Sequence, residues 1–446
     1  MPNWRYILSQ LAVAAEGRLD ALKRRLDERS GDEPIGIVAY RSYGTPEQLF
    51  VKGRVLEEAN IQPASETDSA WRNLANMYRR FESDEIAGAR VLARYGEATH
   101  EARTDEEGFF EILLAPAAPL PPNRLWHAVD LALLEPLRAG QAEARASGAV
   151  LVPPASARFG VISDIDDTVL QSDATSLLRV MRATFLGNAR TRLPFPGVAA
   201  FYRALLDGTH GNDLNPLFYV SSSPWNLYDL LVDFFGLQNI PLGPVLFLRD
   251  WGLTPEEMLP IHNRVYKMKV IRELMDFYHD LPFMLIGDSG QEDPEIYREV
   301  VNSFPGRVPA VYIRNVSRDL KRPEAINTLA QEVLQHGSTL ILADDTLSIA
   351  KHAAEQGWIA SQALHGIQFE KSKDEEPPSP VEQLLAGEPK AEGPTVSVEG
   401  QKAEAVEQGA IEEALKTGEE KKEKPPTVVV KSDEEPEQPP KKAPDG

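Results

Sequence analysis

Two short acidic clusters hold most of the chemistry that this 446-residue chain offers. The first, Ser163-Asp164-Ile165-Asp166-Asp167-Thr168, puts three carboxylates within four positions. Charges of one sign held that close destabilise each other, and a bound cation is the usual relief. A calcium loop would want Gly at its sixth position and Glu at its twelfth. Counted from Asp164 these are Val169 and Thr175, so that reading fails. The second cluster is Gly287-Asp288-Ser289-Gly290-Gln291-Glu292-Asp293. Its first four residues match a serine-protease nucleophile motif, but such an enzyme needs a β-barrel with a paired His and Asp. Here the segment stands between the apolar run FMLI and the helix-like PEIYREVV. Two acidic clusters meeting at the carboxyl ends of neighbouring strands would supply oxygen ligands and leave room for water and a substrate phosphate, as Mg²⁺ prefers. Asp167 is read as a local turn residue. The eight histidines show no close pairing, so a zinc site has no support.

Such clusters need a scaffold that brings strand ends together. From 159 onward, apolar runs alternate with helix-like segments: FGVIS (159–163), LFYVS (217–221), VLFL (245–248), FMLIG (283–287), AVYIR (310–314) and TLILA (339–343), with PWNLYDLLVDFFG and NRVYKMKVIRELMDFY between them. This pattern predicts an α/β domain over 156–365 with a doubly wound parallel sheet, whose ligands bind beyond the carboxyl strand ends. Over 35–136 the runs QLFVKGRVLE, GARVLARY, THEART, GFFEILL and LWHAVDLALLE alternate, which predicts a β-sandwich-like domain interrupted by the helical segment WRNLANMYRRFESDE. The turn and strand Thr104-Asp105-Glu106-Glu107-Gly108-Phe109-Phe110 is similar to repeats of transthyretin-like and carboxypeptidase-regulatory-like domains. Residues 137–155 read as a linker. Residues 1–30 read as an amphipathic helix with an apolar stripe from Trp4 to Leu26 and a basic side, suited to the next domain or to an anionic membrane. Residues 370–446, rich in Glu, Lys, Pro and Ala, read as a disordered acidic tail whose partners stay open.

A net charge of −21 argues against nucleic acid as a partner, because phosphate contacts need clustered Lys and Arg. The absence of cysteine excludes disulfides, thiolate metal sites and cysteine nucleophiles. With no run of 18 apolar residues and no leader-like start, a cytoplasmic protein is expected, soluble or in peripheral contact with a membrane.

The order of D-x-D-x-T at Asp164–Thr168, a strand ending in Ser221, then Lys267, then Gly287-Asp288 with Asp293, resembles the four-motif signature of the haloacid dehalogenase superfamily. The passages FGVISDIDDTVLQSD, FYVSSSPWNLYDLL and FMLIGDSGQEDPEIY are similar, more narrowly, to the catalytic domain of the actin-patch-associated phosphatidate phosphatase family, over about Pro153 to Ile359. The resemblance implies a Mg²⁺-dependent phosphatase releasing phosphate from a phosphorylated lipid, phosphatidate, to leave diacylglycerol. It makes Asp164 the nucleophile and Asp166 the proton shuttle. It makes Asp164, Asp166 (through its backbone carbonyl), Asp288 and Asp293 the metal site, and it sets Ser221 and Lys267 on the phosphoryl oxygens, with Lys269 as a competitor for the lysine role. Thr168 and Ser222 join as substrate-side candidates, a structural turn role competing for Thr168. Between Ala174 and Leu206 stand Arg179, Arg182, Arg190, Arg192 and Arg203 and no acidic residue. These arginines, Arg179 and Arg182 foremost, are candidates for steering a phosphorylated head group or an anionic bilayer, against a core-packed helix with exposed arginines. Two other readings remain: the same chemistry on another phosphomonoester, and a catalytically silent membrane or cytoskeletal adaptor.

Overall fold

A computed structural model of the chain describes residues 34–57, 85–141, 143–165, 195–225, 228–249, 260–317 and 319–375. The helix expected over 1–30, nearly all of the inserted helix (71–84) and the acidic region from 376 lie outside the described residues. None of the described helices is long and apolar enough to cross a membrane.

The first half is built from β1 (Ile35–Ala39), β2 (Ser42–Thr45), β3 (Gln48–Glu57), β4 (Arg90–Tyr95), β5 (Ala98–Arg103), β6 (Phe109–Leu114), β7 (Trp126–Glu135) and β8 (Arg145–Leu151). They form one sheet in the order β1-β3-β2-β8-β7-β4-β5, with β6 on β3. Alternation decides its core. Leu49, Val51 and Val55 of β3 and Ile112 and Leu114 of β6 meet Val91, Ala93, Val129, Leu131 and Leu133 of β4 and β7 in one apolar cluster. Residues 145–151, within the stretch read as a linker, are the strand β8, antiparallel to β7 and parallel to β2. Small residues hid it: Gly148 lies where a Cβ would come within 3.3 Å of Val51.

The second half contains β9 (Gly160–Asp164), α1 (Val198–Asp207), β10 (Leu217–Pro224), α2 (Tyr228–Leu237), β11 (Val245–Arg249), α3 (Pro260–Phe277), β12 (Phe283–Asp288), α4 (Asp293–Ser303), β13 (Ala310–Arg314), α5 (Arg322–Gln335), β14 (Thr339–Ala343), α6 (Thr346–Glu355) and α7 (Ala363–Glu375). The six strands are all parallel, in the order β11-β10-β9-β12-β13-β14. Helices cover both faces. Val161, Tyr219 and Ile286 pack with α1, α2, α6 and α7, whereas Ile162, Phe218 and Leu285 pack with α3, α4 and α5. Burial on two faces is why these strands read as unbroken apolar runs. The winding runs outward from β9 through β10 to β11, then returns to β12 on the other side of β9. The carboxyl ends of β9 and β12 therefore open into a crevice with no crossover above it.

The two halves share their packing. Tyr40 lies with its ring centroid 4.6 Å from Trp225 and 4.7 Å from Tyr228, and the Arg41 amide donates to the Tyr228 hydroxyl at 2.6 Å. On the other face Tyr43 packs 5.1 Å from Phe277, and the Tyr278 hydroxyl donates to the Gly44 carbonyl at 3.0 Å. Helix α7 runs to Glu375, past the compositional change near 370, because Glu370 pairs with Arg203 and Asp374 accepts from the Gly197 amide at 2.8 Å.

Candidate active site

Asp164 ends β9 and Asp288 ends β12, and parallel pairing in the register Ile286↔Ser163 brings the two ends together. Asp288 opens a tight loop: its Oδ1 accepts from the amides of Gly290 at 2.6 Å and Gln291 at 3.0 Å. The loop delivers Asp293 into the first turn of α4, where Pro294 favours the helical start and the helix dipole favours a carboxylate. Asp293 Oδ2 then accepts from the Asp288 amide at 3.1 Å. This return needs Gly287, since a Cβ there would lie 2.2 Å from Asp293 Oδ2.

Asp164, Asp288 and Asp293 are all buried, and one oxygen from each lies within 4.8 Å of the other two. Lys267, projecting from α3, donates from Nζ to Asp164 Oδ1 at 2.8 Å and also to Asp293 Oδ1. Burial alone would push its ammonium down, but Asp164 and Asp293 outweigh that and hold it above the ordinary lysine range. Lys269 is exposed and lies 3.7 Å from Glu273. The negative field reaches further. Burial, then Asp293, Asp164 and Asp288, raise the Tyr297 phenol well above its usual value. With the three carboxylates ionised, one ammonium leaves two negative charges unbalanced in a buried place, at a cost of roughly several kcal/mol per ion. A divalent cation would offset that. The donor set is oxygen alone, which suits Mg²⁺, an ion that keeps water in its shell and accepts few protein ligands.

Ser221 is buried within β10, which runs three residues further to Pro224; it lies one residue beyond the pairing Val220↔Asp164 and just before the β10–β11 register shifts. The side chain of Ser222, and all of Asp166, Thr168, Arg179, Arg182, Arg190 and Arg192, lie outside the described residues. Arg203, the one of the five arginines among the described residues, donates to the Asn239 carbonyl at 2.7 Å and to Glu370, which ties α1 to its neighbours.

Three features of the site had no role in the sequence reading. Gly287 is the cradle for Asp293. Arg314 is buried at the end of β13, stacked 3.7 Å over the Phe195 ring and donating to Thr346 Oγ1 at 2.8 Å, and burial pulls its pKa down to about 10. Arg322 grips the 288–292 loop. Gly287 had a local signal, its place next to Asp288; the two arginines had none.

Residues 159–315 match the family described as phosphatidate phosphatase APP1, catalytic domain. Phosphatidate phosphatase APP1 of Saccharomyces cerevisiae is 32% identical over 163 residues, 36% of this chain and 27% of that protein. A protein of Schizosaccharomyces pombe is 30% identical over 185 residues, 40% of this chain and 29% of that protein. The matched stretch thus spans less than a third of either relative's length. Among solved structures, a carbohydrate acetylesterase from Xanthomonas citri superposes with a TM-score of 0.24 at 12% identity, over 68% of this chain and 75% of that one.

Proposed function

From the premise that residues 159–315 belong to the family of the phosphatidate phosphatase APP1 catalytic domain, we propose that this chain is a Mg²⁺-dependent phosphatase. It cleaves phosphatidate to diacylglycerol and phosphate on a doubly wound, haloacid dehalogenase-like domain. One observation carries the metal and the chemistry: Asp164, Asp288 and Asp293 converge at a buried point, with Lys267 on two of them.

Asp164, Asp288 and Asp293 would hold the ion, with the Asp166 backbone carbonyl as a further donor. Bound there, Mg²⁺ would neutralise the phosphate so that an anionic nucleophile can approach it. Asp164 attacks phosphorus in line, forming an aspartyl-phosphate as the bond to the glycerol oxygen breaks. Asp166 gives that oxygen its proton, so diacylglycerol leaves as a neutral alcohol. The same group then takes a proton from water, whose oxygen attacks the aspartyl-phosphate, freeing phosphate and restoring Asp164. Lys267, fixed on Asp164 Oδ1 and Asp293 Oδ1, sets the nucleophile's orientation and presents a cation to the phosphoryl group. Ser221 and Ser222 accompany it on the phosphoryl oxygens. Thr168, Arg179 and Arg182 are assigned to the substrate side, in a cytoplasmic enzyme that meets its lipid at a membrane surface.

The test is phosphate release from phosphatidate in detergent micelles, with Mg²⁺ and with chelator, for the wild type and Asp164→Asn. Removing the nucleophile should lower turnover by at least about 1,000-fold. Activity surviving that substitution removes Asp164 from its role. Equal or better turnover of water-soluble monoesters replaces the substrate, and silence on every monoester leaves the adaptor reading.

A further inference from the structure

We propose that Arg322 is a positioning residue for the metal loop, holding residues 288–292 in the conformation that aims Asp288 and Asp293 at one ion. The inference rests on the metal reading above. Arg322 opens α5, outside the 159–315 stretch that the family match covers.

Its guanidinium is used almost completely. Nε donates to the Ser289 carbonyl at 3.0 Å and one terminal nitrogen to the Gln291 carbonyl at 2.7 Å. The terminal nitrogens also fork onto Glu295 in the first turn of α4, one at 2.8 Å from Oε2 and the other on Oε1. Ser289 and Gln291 flank the turn that Asp288 Oδ1 closes by accepting from Gly290 and Gln291. The Gln291 residue is therefore held at its amide by Asp288 and at its carbonyl by Arg322. A second tie comes from the segment just after β13, because Ser289 Oγ accepts from the amides of Val316 at 2.9 Å and Ser317 at 3.0 Å. Without the guanidinium the two carbonyls must turn to water, and the loop that fixes the Asp288–Asp293 spacing gains freedom. Only a planar fork spans two carbonyls and a carboxylate at once, so lysine cannot reproduce it. The carboxylate that Arg322 grips is Glu295, and the charge of Asp288 also acts on the guanidinium, so Arg322 supports the ligands from outside the ion's reach.

A control lies on the same two helices. Arg298 of α4 pairs with Glu332 of α5 at 3.2 Å and makes no bond to the loop. The experiment measures Mg²⁺ binding to the metal-free full chain by titration calorimetry, with thermal melts in chelator, for the wild type, Arg322→Ala, Arg322→Lys and Arg298→Ala. Losing an outer support of this kind typically weakens metal affinity about 10–100-fold. That loss is expected for Arg322→Ala, a smaller one for Arg322→Lys, and none beyond about twofold for Arg298→Ala. The Mg²⁺ concentration giving half-maximal phosphate release should shift in parallel, while the substrate KM at saturating Mg²⁺ holds. Wild-type affinity in Arg322→Ala overturns the proposal, as does equal weakening in Arg298→Ala, which would reduce the effect to helix packing. Should Arg322→Ala not fold, an unaltered affinity in Arg322→Lys overturns it instead. A wild-type chain that takes up no Mg²⁺ sinks the metal reading itself, and this role with it.

Discussion

Substituting Gly287 by alanine tests whether the acidic ends of β9 and β12 work as one geometric unit. The added methyl would lie 2.2 Å from Asp293 Oδ2 and 2.8 Å from its Cβ and Cγ. Ordinary contact begins near 3.4 Å, so the Asp293 carboxylate must retreat by about 1 Å. It has little freedom to rotate away, since its two oxygens are held by the Asp288 amide and by Lys267, and its backbone starts α4. A misplacement of about 1 Å at a catalytic centre costs roughly 100-fold in rate, and overpacking a filled interior costs about 1–3 kcal/mol in stability. The two effects are separable. Gly160 stands at the amino end of β9, where a Cβ would meet the Phe283 ring at 2.3 Å, a clash of the same severity remote from the carboxyl end. Gly160→Ala should therefore lower stability by a similar amount and leave turnover per folded molecule intact. Phosphate release from phosphatidate, normalised to the folded fraction from thermal melts, compares the two. If Gly287→Ala works within threefold of the wild type, the claim that Asp293 must occupy this position is wrong.

Lys267→Met leaves the buried carboxylates without their ammonium, so it should cost about 3–5 kcal/mol in chelator and less in Mg²⁺, read from urea melts in both conditions. Tyr40→Ala empties the space between Trp225 and Tyr228 and should destabilise the chain by about 3–5 kcal/mol, with Trp225 fluorescence shifting to the red as water enters. Burial, helped by the charge of Arg124, lowers the pKa of His127, whose ring lies 3.2 Å from the Tyr95 hydroxyl and 3.1 Å from the Arg124 carbonyl. Between that lowered value and about 6.5 the unfolded chain binds the extra proton, so stability falls as pH drops through this window. His127→Gln should flatten that part of the pH profile, measured by denaturant midpoints.

The composition of this chain already carried much of the architecture. Runs such as FMLIG and AVYIR are apolar at every position because helices cover both faces of their sheet, and no other common arrangement hides so many consecutive apolar side chains. QLFVKGRVLE, which spans the whole of β3, alternates over most of its length because one face lies in the core and the other is only partly covered. The strand β8 escaped notice because Arg145-Ala-Ser-Gly-Ala-Val-Leu carries few bulky side chains, as its close approach to β3 requires. The types of the site residues were legible too, since carboxylates at strand ends are costly unless something offsets their charge.

Tertiary structure decided which groups meet. Lys267 and Lys269 stand two positions apart on one helix, and only the orientation of α3 on the sheet buries the first against Asp164 and leaves the second in water. Arg203 belonged by sequence to a basic stretch, yet its position on α1 delivers it to Glu370 of α7. Arg322 lies 33 residues from Ser289 and touches it because β13 pairs beside β12. Periodicity along a chain records how each element divides its surface between core and solvent, because that division is settled locally by burial. Strand order and register fix the distances between elements, and they arise from all of the packing at once.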